Sequence, residues 1–219
     1  MRDAYRGDLD AITDSLVEMT HLVGSAMARA TTSLLDADLT LAESVIAADD
    51  QIDALYQQVE AQAMELLATQ SPVAGDLRTV VTSLRIVADL ERMGDLADHV
   101  ASVARRRFPA SAVPAELRGT VLEMGQVAQR IVTKAGSVIA SRDVDSAREL
   151  ERDDDAMDAL HKRLFAVILA DDWKGGVEAA IDVTLVGRYY ERYADHAVSV
   201  ARRVVYLVTG ERPTRAQTT

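Results

Sequence analysis

A chain of 219 residues is long enough for one or two domains with real cores. Hydrophobic residues make up 48% and aromatics only 4%, with Ala, Leu and Val abundant, which favours a helical bundle over a sheet protein. The formal charge, 24 − 35 = −11, disfavours nucleic acid and anionic lipid and suits cations or basic protein surfaces. There is no cysteine, which excludes disulfides and thiolate metal sites and fits a cytoplasmic location. Apolar runs fall short of the ~18 residues of a membrane span. The start, Met1 to Asp8, lacks the apolar stretch of a signal peptide.

The periodicity predicts six helices and no strand. Helix 1 runs from about Asp8 to Leu35, with Leu9, Ile12, Leu16, Met19, Val23, Met27 and Ala30 spaced by three and four. Helix 2 follows the N-cap residue Asp38 and reaches about Ala68. Ser71-Pro72 reads as a cap and first-turn proline, opening helix 3, which continues to about Arg107. Phe108 to Pro114, with two prolines, is the linker. Helix 4 covers about Ala115 to Ser141, helix 5 runs from after Asp143 to about Ala170, and helix 6 follows Gly175-Gly176 to about Thr209. Gly210 to Pro213 stops it. Short connections make sequential helices antiparallel neighbours.

The two halves repeat. Asp38, Asp49, Asp50, Asp53, Ala54 and Leu55 match Asp143, Asp154, Asp155, Asp158, Ala159 and Leu160 at an offset of 105. Glu91, Arg92, Asp95, Ala97, Val100 and Ala101 match Glu191, Arg192, Asp195, Ala197, Val200 and Ala201 at an offset of 100. The expected fold is therefore all-α, two tandem three-helix bundles from an internal duplication. The first bundle spans 1–109 and the second 110–212, with a disordered tail over 213–219.

Carboxylates interrupt the apolar seams of four helices. At 100° per residue, Glu91 lies within ~40° of Leu77, Val80, Leu84 and Val87 on one side and of Asp95 and Asp98 on the other. On helix 2, Asp49 and Asp53 share a stripe with Ala42, Tyr56, Ala63 and Leu67. Helix 5 places Asp154 and Asp158 with Leu150, His161 and Phe165, and helix 6 places Glu191 and Asp195 with Val177, Ala180, Thr184 and Val198. Carboxylates at i and i+4 repel unless a cation lies between them. A solvated acidic face is one alternative, and pairing with Arg85, Arg92, Arg188 or Arg192 is another. Arg92 and Arg192 lie ~100° off the stripe, so they are expected to flank it rather than neutralise it. Gly94, with Ala194 as its counterpart, allows close approach by a helix, a partner or an ion. Oxygen ligands without thiolates select a hard ion such as Mg²⁺, Mn²⁺, Ca²⁺ or iron. His161 lies on the helix 5 stripe, whereas His99 and His196 point off theirs.

The run Gln70-Ser71-Pro72-Val73-Ala74-Gly75-Asp76-Leu77-Arg78, followed by Asp89-Leu90-Glu91-Arg92-Met93-Gly94-Asp95, resembles the signature of the PhoU proteins. Glu191-Arg192-Tyr193-Ala194-Asp195-His196-Ala197 is similar to the family's second copy of the word. The resemblance covers nearly the whole chain. It implies tandem three-helix bundles, usually homodimeric, with metal clusters held by Asp49 with Asp53, Glu91 with Asp95, Asp154 with Asp158, and Glu191 with Asp195. It implies no catalysis. The implied role is negative regulation of phosphate uptake and the phosphate-starvation response, as a cytoplasmic adaptor between the phosphate ABC transporter ATPase subunit and a phosphate-sensing histidine kinase. The second half departs from the pattern: it lacks the Pro72 and Asp76-Leu77-Arg78 run, and Thr184 stands where Leu84 does. Two other readings remain. A ferritin-like di-iron enzyme needs Glu-x-x-His words, for which Glu18 to His21 fits and Asp158 to His161 is a weak second. A metal-free scaffold would use its acidic faces to dock basic partners.

Overall fold

The structure is a computed structural model that describes residues 2–211, with side chains from Tyr5 onward. Six helices follow in order: α1 (Arg2–Asp36), α2 (Leu39–Gln70), α3 (Gly75–Arg107), α4 (Arg118–Ser141), α5 (Val144–Ile168) and α6 (Gly176–Thr209). No strand occurs among the described residues. The tail expected over 213–219 lies outside them.

Caps behave as their chemistry dictates at α2 and α5. The Asp38 carboxylate accepts from the Leu41 N–H at 2.9 Å, and that of Asp143 accepts from the N–H groups of Asp145 and Ser146 at 2.9 and 3.2 Å. Those two bonds hold the Asp143 carboxyl below its ordinary range. Gly210, at φ 76°, closes α6.

Three boundaries differ from expectation. Helix α1 begins at Arg2 rather than near Asp8, because Tyr5 and Leu9 still pack on the core. A short 3₁₀ turn, Ala115–Leu117, precedes α4. Ser71 does not open α3. It closes α2 in the left-handed region at φ 45°, and α3 starts at Gly75 after the Val73 to Asp76 turn. Pro72 thus separates the two helices.

Within each half the three helices pack on one another. Across the halves, α1 packs on α4 and α3 on α6, so these four helices form the centre while α2 and α5 lie on the flanks. Buried apolar residues from all six helices make one continuous core. The α1–α4 contact is close: a Cβ at Gly125 or Gly136 would sit 2.7 Å or 2.5 Å from side-chain atoms of Thr31 or Thr20. Thr31 also hydrogen-bonds the buried Tyr190 hydroxyl of α6 at 2.6 Å.

The α3–α6 contact is antiparallel. Arg78 stacks on Tyr206, His99 on Tyr189, and Asp182 pairs with Arg106 and Arg107. Asp89 of α3, only 8% exposed, accepts from Arg203 and faces His196 Nδ1 at 3.2 Å. Two buried carboxylates, Asp89 and Asp182, are thereby each neutralised from the other half.

Candidate functional site

Each flanking helix meets a central one along an acidic stripe. In the first half Asp49 and Asp53 come from α2, and Glu91, Asp95 and Asp98 from α3. In the second half Asp154 and Asp158 come from α5, and Glu191 and Asp195 from α6. The sequence pairs are therefore brought together, α2 with α3 and α5 with α6. The two clusters are built from different helix pairs.

Burial first, and neighbouring charge second, act on these carboxylates. Partial burial, followed by the charges of Asp53, Asp95, Asp98 and Glu91, pushes the Asp49 carboxyl up to about 6. Partial burial, then Asp195, Asp158, Asp155 and Glu191, pushes Asp154 up to about 6 as well. Burial raises Glu91 too, with Asp95 adding and Arg92 opposing. Asp98 is raised by burial against His99 and Arg105, and Asp195 by burial and Glu191 against Arg192 and Arg188. The duplicated pattern, with Asp49 and Asp154 each facing carboxylates of a neighbouring helix, sets these groups apart from an ordinary solvated face.

The arginines depart from the expectation. Arg92 does not stand aside: its guanidinium donates to Asp95 at 2.7 Å and lies 3.5 Å from Glu91. In the second half Arg188, not Arg192, pairs with Glu191. A helix angle locates Cβ, whereas the long arginine stem reaches back across the stripe. Both arginines are more than half exposed, so these contacts are weak and exchangeable.

At Gly94 side chains of α2 press against α3. A Cβ there would lie 2.9 Å from Asp49 Oδ1 and 3.0 Å from Ile52 Cδ1. The missing side chain therefore leaves room for both an apolar contact and the Asp49 carboxylate of α2 against the α3 backbone. In the second half the equivalent position is Ala194, also buried.

The donor type, carboxylate oxygens only, is the one a hard cation would take, and one of those oxygens lies against Gly94. Among the described residues no three His, Asp or Glu side chains are gathered into a ready-made metal cage, and guanidinium groups hold Glu91, Asp95 and Glu191. Asp49, Asp53, Glu91 and Asp95 would hold an ion in the first half, and Asp154, Asp158, Glu191 and Asp195 in the second. Asp98 adds a fifth carboxylate to the first cluster, where the second has the buried Val198. His161 packs edge-on against Phe165, and its buried Nε2 has no hydrogen-bond partner among the described residues.

The sequence reading missed the Asp89 and Asp182 pairings. Their only signal was a charge inside an apolar stretch, and the partners are 75 to 114 positions away in the chain. His196, expected to point off its own stripe, does so and faces Asp89.

Comparison with known proteins agrees with this architecture. The PhoU domain model matches residues 16–104 and again 121–204. A Mycobacterium tuberculosis protein described as phosphate-specific transport system accessory protein PhoU homolog 2 is 51% identical over 213 residues, covering 97% of this chain and 100% of that protein. A Mycobacterium leprae PhoU homolog 1 is 50% identical, covering 97% of this chain and 96% of that protein. The crystal structure of PhoU from Pseudomonas aeruginosa superposes with a TM-score of 0.86 at 29% identity, over 94% of this chain and 100% of that one. The same fold recurs in PhoU from Streptococcus pneumoniae, at a TM-score of 0.82 and 23% identity, over 96% of this chain and 99% of that one. With the domain matched once in each half and full-length relatives at about half identity, the chain belongs to the PhoU family.

Proposed function

We propose that this protein is a negative regulator of phosphate uptake and of the phosphate-starvation response. In this reading it works in the cytoplasm as a metal-binding adaptor between the ATPase subunit of a phosphate ABC transporter and a phosphate-sensing histidine kinase. The observation that carries it is the end-to-end match to a 51% identical relative described as an accessory protein of phosphate-specific transport. No helix among the described residues is long and apolar enough to cross a membrane, which suits a part that docks on a transporter rather than one that conducts. The reading assigns no catalysis. It treats the repeats 1–109 and 110–212 as the structural units, each with one carboxylate cluster, in a homodimer.

The regulatory part is tested by deleting the gene and growing the strain in ample phosphate. Starvation genes should stay on, or phosphate uptake should go unrestrained. If both match the parent strain, and no paralogue substitutes, the reading fails. The metal part is tested separately by elemental analysis of protein purified without chelator. Glu91→Ala with Asp95→Ala should empty the first cluster and leave the second loaded. Unchanged metal content in that variant refutes the ligand assignment without touching the regulatory one.

A further inference from the structure

The junction of α5 and α6 exposes an apolar groove that the fold does not require. Trp173, Val177, Ala180, Ile181, Thr184 and Leu185 line it. Val177 is 78% exposed, Ile181 55% and Leu185 37%. At spacings of four they form a ridge along the first turns of α6, the register by which one helix anchors another. The groove is held open by its wall. Trp173 Nε1 donates to the Gly176 carbonyl at 3.1 Å, and the indole lies so close to Gly175 that a Cβ there would overlap it. The corresponding positions of the first repeat, offset by 100, are Leu77, Val81 and Arg85. The repeat thus accepts a charge where Leu185 stands, so the apolar ridge belongs to the second half alone.

Charge selects the occupant. Asp171 and Asp172 immediately precede Trp173, are exposed, and have no ion-pair partner among the described residues. Glu178 pairs with Arg107, yet its side chain remains 79% exposed. Lys174 is the one opposing charge in the connecting loop. Further along α6 the same stripe passes Thr184, then Arg188, whose charge is engaged by Glu191, and reaches Asp195. A second copy seated on this groove about a two-fold axis would face Asp171 and Asp172 against themselves. An anionic membrane is repelled for the same reason.

We propose that this groove is a docking site for an amphipathic helix of a partner protein, with apolar anchors on one face and Lys or Arg flanking them. Trp173 supplies the rigid aromatic wall and the Val177, Ile181 and Leu185 ridge supplies the buried contact. The surface gives the adaptor reading a place to act, but peptide binding and the deletion phenotype fail independently.

Trp173 is the chain's single tryptophan, so its emission reports the groove directly. The probe is an 18-residue helical peptide with Leu along one face and Lys on its flanks, added to chelator-treated full-length protein at physiological salt. A matched peptide carries Glu in place of Lys. The Lys peptide should shift Trp173 emission saturably, and the Glu peptide should bind at least tenfold more weakly. Val177→Glu with Ile181→Glu, both at exposed positions, should weaken the Lys peptide at least tenfold. Non-specific attraction to an acidic protein predicts tighter binding for that variant, since it adds two negative charges. Asp171→Asn with Asp172→Asn should weaken binding severalfold. Equal binding of the two peptides, or unchanged or tighter binding to the Val177/Ile181 variant, overturns the proposal. So does a Trp173 response to protein dilution alone, which marks a second copy, or to phosphatidylglycerol vesicles, which marks a membrane.

Discussion

Asp49 Oδ1 lies 2.9 Å from the point where a side chain at Gly94 would begin. One missing methyl thus lets α2 bring Ile52 and a carboxylate against α3 at this point. Gly94→Ala should gain about 1 kcal/mol of helix propensity and lose about 1–3 kcal/mol to overpacking against Ile52 and Asp49. The expected result is a modest net loss of stability together with weaker metal binding at the first cluster. Urea denaturation and metal titration of the variant check both parts; unchanged metal affinity would remove Gly94 from the site.

Arg203 neutralises Asp89 across the two halves. Arg203→Ala leaves a carboxylate that is 8% exposed with His196 as its remaining partner. The cost should be about 2–3 kcal/mol, below the ~3–5 kcal/mol of a fully buried pair because the arginine is itself partly exposed. Adding Asp89→Ala should recover part of that loss. A double-mutant cycle in urea reads the coupling, and strict additivity would show that the pair does not act as one.

Stability of the metal-free protein should rise on mild acidification. Asp49 and Asp154 have folded-state values of about 6, above their ordinary range. At pH 7 both are ionised folded and unfolded, and the folded state bears the cost of burying each charge and, after it, the repulsion of neighbouring carboxylates. As pH falls through about 6 the folded carboxyls protonate first, and stability climbs until the unfolded ones protonate near about 4. These sites are half-exposed, so solvent screening cuts the gain to about 1 kcal/mol each. Urea midpoints between pH 7.5 and 5 should show this rise in the parent protein and a flatter profile in Asp49→Asn with Asp154→Asn. Identical profiles would contradict the raised values that burial and neighbouring carboxylates give these two groups.

Tyr190→Phe should cost about 1 kcal/mol, the net worth of one buried hydrogen bond. The Thr31 hydroxyl keeps its own bond to the Met27 carbonyl at 2.8 Å, which limits the loss. A loss above about 3 kcal/mol in thermal or urea unfolding would mean that the hydroxyl does more than join α1 to α6.

The helices, the duplication and the four acidic stripes were legible because each depends on spacing along one element. Leu9 to Ala30 announce α1, Asp38 and Asp143 announce the caps, and Asp49/Asp53 and Glu91/Asp95 repeat at fixed offsets. Period and local capping are properties of a helix by itself, so no partner is needed to read them. The tertiary structure decided what spans elements. Ser71 closes α2 instead of opening α3, and Arg92 folds back onto Glu91 and Asp95. Asp89 and Asp182 find cations in the opposite half, and the ridge at Val177, Ile181 and Leu185 is left uncovered. Each of these follows from which helices meet and how far a flexible side chain reaches, and neither is encoded in the spacing of any single helix.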